Sequence, residues 1–350
     1  MKRLNIALCT LLVWISVPSV PAHAIAIGQS CARAKLGARV TVTIKKKKTV
    51  LVCRKRSGRK VWIRAAVQTP VTTTTTTTTT TVPEPVTNFT IAVDALDPTL
   101  QTIAIEGMQP RTFFLNVPAS YVPGTPTPLL LAFHSRTTNG KAIMTSSQIL
   151  SWAAAMNIIV VAVNGAVHDV ASSWNAGRCC DPASTQNEDD VLLTSTIIDY
   201  IKTQATIDVS RIWAMGHSNG GMMAYRLACD LSEKITAVAV VTGALVDDTC
   251  NPTKHVSLIH IHGDLDPTVP YQGGGKFDTP NIYFSTLDFA RANSCTSTPR
   301  GNLDSIEQRY IWDCANGGHV ELANYMQESH QWGEGYTEEI LRFLFAHPRK

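Results

Sequence analysis

The stretch from Arg211 to Tyr225 reads RIWAMGHSNGGMMAY: an apolar run, a Gly-x-Ser-x-Gly turn and the start of a helical pattern. The pentapeptide alone is weak. A chain of 350 residues with ordinary glycine and serine content contains one by chance in roughly one case in ten. Its surroundings carry the reading. Arg211–Met215 has strand character, and Met222-Met223-Ala224-Tyr225 continues as a helix. A strand that turns sharply into a helix at Ser218 holds the serine in a strained conformation, and the flanking glycines let the chain turn without a Cβ clash. The hydroxyl then lies at a helix N-terminus, where developing negative charge is favoured. Ser218 is the expected nucleophile.

On both sides of this turn, short apolar runs alternate with amphipathic ones. Strands are expected at Phe113–Val117, Leu129–Phe133, Ile158–Val163, Ala237–Thr242, Ser257–Ile261 and Val320–Met326. Helices are expected at Ala142–Met156, Val191–Gln204, Gly220–Leu231, Thr286–Asn293 and Thr337–Ala346. Continuously apolar strands separated by helices predict an α/β fold with a mainly parallel sheet covered on both faces. Asn88–Val93 and Leu100–Glu106 could add antiparallel strands at one edge. The whole forms one predicted catalytic domain over 88–350.

A serine hydroxyl needs a base, and the base an orienting carboxylate. Sites on open α/β sheets lie at the carboxyl ends of the strands. His319 precedes its strand and His347 follows the last helix, which puts both at the opposite end. His330 lies in the loop after Val320–Met326 and is the expected base. The carboxylate should follow Ser257–Ile261, where HGDLDPTVP, residues 262–270, offers Asp264 and Asp266; spacing does not choose between them. The oxyanion hole should use the backbone N–H of Asn219 and a second from the loop after the strand ending at His134. His134 itself is expected to hold that loop. Trp174, Trp332 and Tyr271 lie near strand ends and are expected to line an acyl pocket.

GHSNGGMMAYRLAC at 216–229, Trp174-Asn175 with Cys179-Cys180, Asp189-Asp190-Val191, and HGDLDPTVPY at 262–271 resemble the poly(3-hydroxybutyrate) depolymerase and feruloyl esterase group of α/β-hydrolases. His330-Gln331-Trp332-Gly333 is similar to that group's His-x-Trp-Pro motif. The resemblance covers roughly residues 100–348. It implies an α/β-hydrolase fold and a serine esterase with no metal and no organic cofactor. It also implies Asp266, rather than Asp264, as the triad acid, and a second oxyanion donor at Ser135 or Arg136. The group's usual His-Gly reads His134-Ser135 here, and Gly333 stands where it has proline.

Met1–Ala24 reads as a signal peptide, with Lys2 and Arg3 before an apolar core and Ala22-His23-Ala24 at the cleavage site. The apolar run is shorter than the ~20 residues a spanning helix needs, so an exported protein without a transmembrane segment is expected. Ten threonines, Thr72–Thr81, among prolines form a linker over 69–87, a composition that cannot bury apolar surface. Before it, residues 25–68 are expected to form a small β module with strands at Val40–Ile44 and Thr49–Val52. A Lys45–Lys48 turn would join them, and a Cys31–Cys53 disulfide would staple the module.

Charge divides along the same line. No acid precedes Glu84, and thirteen lysines and arginines lie between Ile25 and Gln68. Sixteen basic residues then face all twenty-seven acids, a net charge of about −11 on the remainder. The basic module is the expected tether to an anionic polymer or cell wall; no nucleic-acid partner is expected. Eight cysteines follow the signal segment, which suits disulfides in an exported chain. Cys229–Cys250 and Cys295–Cys314 are the expected pairs, leaving Cys179 and Cys180 unassigned. Two alternatives use the same features: an exported acyltransferase with a sugar hydroxyl in place of water, and a surface-binding protein whose hydrolase domain is inert.

Overall fold

The computed structural model describes residues 39–44, 47–56, 59–64 and 98–350, apart from 169, 170 and 297. The expected signal peptide, the linker, the run at 88–93 and Cys31 lie outside the described residues. The chain divides into two units, Met1–Val86 and Thr87–Lys350. In the first, β1 (Arg39–Ile44), β2 (Lys47–Arg56) and β3 (Arg59–Arg64) form an antiparallel sheet in that order. Pairing runs out to Ile44 opposite Lys47, so Lys47 and Lys48 belong to the ladder rather than to a turn. The third strand was not expected from the sequence.

The second unit opens with β4 (Thr99–Ile103), β5 (Arg111–Asn116), β6 (Thr127–Phe133), α1 (Gly140–Ser147), α2 (Ile149–Met156) and β7 (Ile159–Val163). A small hairpin of β8 (Ala166–His168) and β9 (Ala171–Ser173) precedes α3 (Asp190–Gln204), β10 (Ile207–His217) and α4 (Asn219–Asp230). Then come β11 (Ala237–Val241), β12 (Ser257–Gly263), α5 (Ile282–Ala292), β13 (Arg300–Leu303), β14 (Glu307–Asp313), β15 (His319–Tyr325) and α6 (Tyr336–Ala346).

Ten of these strands form one sheet, ordered β13-β14-β15-β12-β11-β10-β6-β7-β5-β4. The six from β15 to β7 are parallel, and an antiparallel pair closes each edge. Burial explains the composition. Alternate residues of a strand face opposite sides, and here both sides are covered. Leu129, Leu131 and Phe133 of β6 pack with Leu193 and Ile197 of α3 and Met223 and Leu227 of α4. Leu130 and Ala132 meet Ile143 of α1, Ala153 of α2 and Ile340 and Leu344 of α6. A strand without a solvent face has no reason to alternate polar residues, so the parallel strands read as solid apolar runs.

Two features depart from the sequence reading. The single helix expected over 142–156 is broken at Gln148, which adopts φ +52° and separates α1 from α2. The antiparallel pair β13–β14 was not anticipated, because β13 is exposed along its whole length and carries no apolar pattern. Cys229–Cys250 and Cys295–Cys314 are disulfide-bonded, and Cys179 is bonded to its neighbour Cys180 across a cis peptide. No helix among the described residues is long and apolar enough to cross a membrane.

Candidate active site

Every triad residue named from the sequence follows a parallel strand at its C-terminal end: Ser218 after β10, Asp266 after β12 and His330 after β15. Ser218 has φ +57° and ψ −122°, a region that side-chain-bearing residues avoid. The surroundings hold it there. Its N–H donates to Val241 O at 2.9 Å, and its carbonyl accepts from Met222 N–H at 3.0 Å. A Cβ on Gly220 would collide with the Phe133 carbonyl at the end of β6, and one on Gly216 with the Gly220 carbonyl. Only glycine lets α4 start this close to two strands.

His330 Nδ1 lies 2.7 Å from Asp266 Oδ2. Asp266 Oδ1 accepts from the N–H groups of Thr268 (2.8 Å) and Val269 (2.9 Å). Burial alone would raise the Asp266 carboxyl, but the His330 and Val269 hydrogen bonds outweigh it and hold it below the usual carboxylate value. Asp266 is therefore ionised at neutral pH and accepts the His330 Nδ1–H, which leaves Nε2 as the ring nitrogen not engaged by the carboxylate. Asp264, two residues away, has another job. Its Oδ1 accepts from Gln327 N–H at 2.5 Å, its N–H donates to Tyr325 O at 3.1 Å, and Leu265 N–H donates to Glu328 O at 3.0 Å. These bonds sew the aspartate loop to the histidine loop.

Ser218 and His330 open onto a cavity of about 460 Å³ whose wall includes Ser135, Arg136, His217 and Phe277. Ser135 and Arg136 follow β6, as the expected oxyanion loop requires, and Asn219 is the first residue of α4. The Asn219 side chain works elsewhere. Its Oδ1 accepts from Trp174 N–H at 2.8 Å, and its Nδ2 donates to Trp174 O at 3.1 Å. His134 is fully buried; Gly165 N–H donates to its Nε2 at 2.9 Å, so Nδ1 carries the proton and donates to Ser135 O at 2.7 Å. Burial lowers its pKa to about 4. This neutral imidazole pins the loop after β6.

The expected acyl-pocket aromatics require correction. Trp174 is wholly buried, with its ring edge against Phe133 and its indole N–H donating to His134 O at 2.9 Å. Tyr271 is buried against His262. Both sit near strand ends, but their side chains turn inward to the space between sheet and helices. Trp332 is half-buried, donates to Thr337 Oγ1 at 2.9 Å and meets His217 edge-on. It backs the cavity wall rather than forming it.

His217 and Phe277 do form that wall and were missed. His217 is the residue before Ser218, and its ring lies 5.2 Å from that of His330. Its Nδ1 is 2.7 Å from Ser135 Oγ, and burial lowers its pKa to about 4. The motif itself could have pointed to His217. Phe277 sits in an irregular glycine-rich loop that carries no pattern.

Serine, aspartate and histidine delivered in that chain order from the ends of parallel strands define an α/β-hydrolase. Comparison with known proteins agrees. Residues 170–287 match the family Phospholipase/Carboxylesterase. The chain is 30% identical over 206 residues to a probable feruloyl esterase C of Aspergillus oryzae, covering 57% of this chain and 68% of that protein. It is 27% identical over 240 residues to feruloyl esterase B of Piromyces equi, covering 64% of this chain but 43% of that one. Among solved structures, the acetyl xylan esterase from Aspergillus awamori superposes with a TM-score of 0.54 at 14% identity, covering 71% of this chain and 99% of that one. The chain belongs to an esterase family of α/β-hydrolases that includes the feruloyl esterases C.

Proposed function

We propose that the protein is an exported serine carboxylic-ester hydrolase acting on esters attached to polysaccharide. The observation that carries this reading is the 2.7 Å bond from His330 Nδ1 to a buried, ionised Asp266, with Ser218 and His330 on one cavity. In the proposed reaction Ser218 Oγ attacks the ester carbonyl while His330 Nε2 takes its proton, and Asp266 stabilises the imidazolium that forms. Backbone N–H groups of Asn219 and of Ser135 or Arg136 are the proposed donors to the oxyanion. His330 returns the proton to the leaving alcohol, and a water activated by His330 then releases the acid from the acyl-serine. No step calls for a metal or organic cofactor.

The polysaccharide-ester reading is supported by the names of the relatives, feruloyl and acetyl xylan esterases. The basic residues 25–68 and the threonine linker are proposed as a tether to an anionic surface on which such a substrate lies. Ser218→Ala should lower turnover of 4-nitrophenyl acetate by about four to six orders of magnitude, with loss of labelling by a fluorophosphonate. Undiminished turnover in a pure preparation removes the assignment. A panel of feruloylated and acetylated polysaccharides beside a polyhydroxyalkanoate then selects the ester.

A further inference from the structure

Most arginines of the second unit are neutralised where they stand. Arg111 is as buried as a core residue, but it meets Asp190 at 2.7 Å and Glu188 at 3.3 Å. Arg178, Arg211, Arg226, Arg291, Arg300, Arg309 and Arg342 each have a carboxylate partner. Arg349 has none, and spends its guanidinium on the carbonyls of Ser232, Glu233, Ile235 and His255. Among the described arginines of the second unit, Arg136 alone has neither a carboxylate partner nor terminal NH₂ groups engaged by carbonyls. Its Nε donates to Asp181 O at 2.8 Å, and no carboxylate of the described residues lies within ion-pair distance. The Asp181 carboxylate is engaged by Ser184, whose hydroxyl donates to Oδ1 at 2.7 Å.

This unspent cation stands in the wall of the catalytic cavity. The other wall residues, apart from the histidines, are serine, threonine, alanine, isoleucine and phenylalanine, so among the described residues Arg136 is its only permanent charge. Anchoring through Nε sets the plane of the guanidinium and leaves both terminal NH₂ groups, the pair that binds a carboxylate in parallel, without partners among the described residues. His217 in the same wall is held neutral by burial, with a pKa of about 4, and adds no competing charge. An arginine in a half-enclosed cavity with its donors unused is matched by an anion brought in by the substrate.

We propose that Arg136 determines specificity, and that the preferred ester carries a carboxylate in its alcohol or acyl part, as an ester on a uronate-containing polysaccharide would. This rests on the esterase reading above and adds to it the charge of the substrate. The side chain is distinct from the Arg136 backbone N–H considered for the oxyanion.

Two pairs of small esters test it: 4-acetoxybenzoate against its methyl ester, and monomethyl adipate against dimethyl adipate. The quantity read is the charged-to-neutral ratio of kcat/KM. Arg136→Gln should lower that ratio about 10- to 100-fold for at least one pair, in keeping with a charge-assisted hydrogen bond. Arg136→Lys should keep it within about fivefold of the wild type. The pair that responds says on which side of the ester the charge sits. A ratio unmoved by Arg136→Gln in both pairs overturns the proposal.

Calorimetric binding of 4-acetoxybenzoate and of monomethyl adipate to Ser218→Ala, with and without Arg136→Gln, separates this from failure of the esterase reading. If the wild type turns over no ester, that reading falls. A 10-fold or greater loss of affinity for either carboxylate with Arg136→Gln still supports the anion site. Equal affinity for both with and without Arg136→Gln still overturns it.

Discussion

Two aspartates two residues apart can look interchangeable in a sequence and have opposite duties in a fold. Asp266 points one oxygen at His330 and the other at two backbone N–H groups. Asp264 points at Gln327 N–H on the neighbouring loop. Asp266→Asn should therefore lower kcat about 10⁴-fold, because an amide cannot hold the histidine in the useful tautomer. Asp264→Asn keeps an acceptor oxygen for Gln327 and should cost less than about tenfold. Steady-state kinetics on one soluble ester decide this, and a more sensitive Asp264 would reverse the assignment. The strained turn at Ser218, the proposed nucleophile, was legible because glycines crowd it. The choice of acid came only from resemblance, since spacing along a turn does not say which carboxylate turns inward. Trp174 and Tyr271 misled for the same reason: a residue's place at a strand end does not give the direction of its side chain.

Among the elements, β12 carries a buried polar chain inside an apolar layer. His262 Nε2–H donates to Val269 O at 2.8 Å, His260 Nε2–H to His262 Nδ1 at 3.1 Å, and Tyr225 O–H of α4 to His260 Nδ1 at 2.9 Å. The chain ends beside the loop that carries Asp266. Burial lowers His262 to a pKa of about 4 and His260 well below its ordinary value, as it lowers His134. In the unfolded chain these imidazoles take up protons near pH 6.5, whereas the folded protein refuses them until far lower pH. The unfolded state thus binds more protons between about pH 6.5 and 4, and stability falls as pH falls through that window. Each such histidine contributes a slope on the order of 1.4 kcal/mol per pH unit. The urea midpoint should drop steeply from pH 6.5 to 4.5 and be nearly flat from 7 to 8. His262→Leu should flatten the slope, and a profile level down to pH 5 would refute the neutral assignment. The parallel strands were legible because burial on both faces leaves solid apolar runs. β13 was not, because an exposed edge strand held by backbone bonds needs no pattern, and the break at Gln148 falls on a residue with no glycine-like signal.

For the whole molecule, the division at Val86 and Thr87 separates a basic segment from a body in which sixteen basic residues face twenty-six acids, a net charge of −10. The proposed catalytic residues and both core layers belong to the second unit. Deleting residues 25–81 should leave kcat/KM on a small soluble ester within about twofold. The same deletion should weaken retention on anionic cell-wall material. Retention of the full-length protein should also fall as salt rises, since exposed charges are screened over ~10 Å at 0.1 M. Pull-down of both forms at two salt concentrations is the measurement, and equal, salt-independent retention would argue against a tether. Composition alone suggests this division, because a threonine run and a switch in charge need no knowledge of side-chain direction. The stitching of the aspartate loop to the histidine loop, through Asp264, Leu265 and Gln327, has a consequence at this scale. Acid and base ride on one stitched carriage, so a displacement of either loop carries the other with it. What thermal motion can change is the distance from that carriage to the serine, which stands on α4 as a separate anvil. Tuning such an enzyme to cold or heat would therefore act on the two seams that the spacer strand β11 makes with β10 and β12.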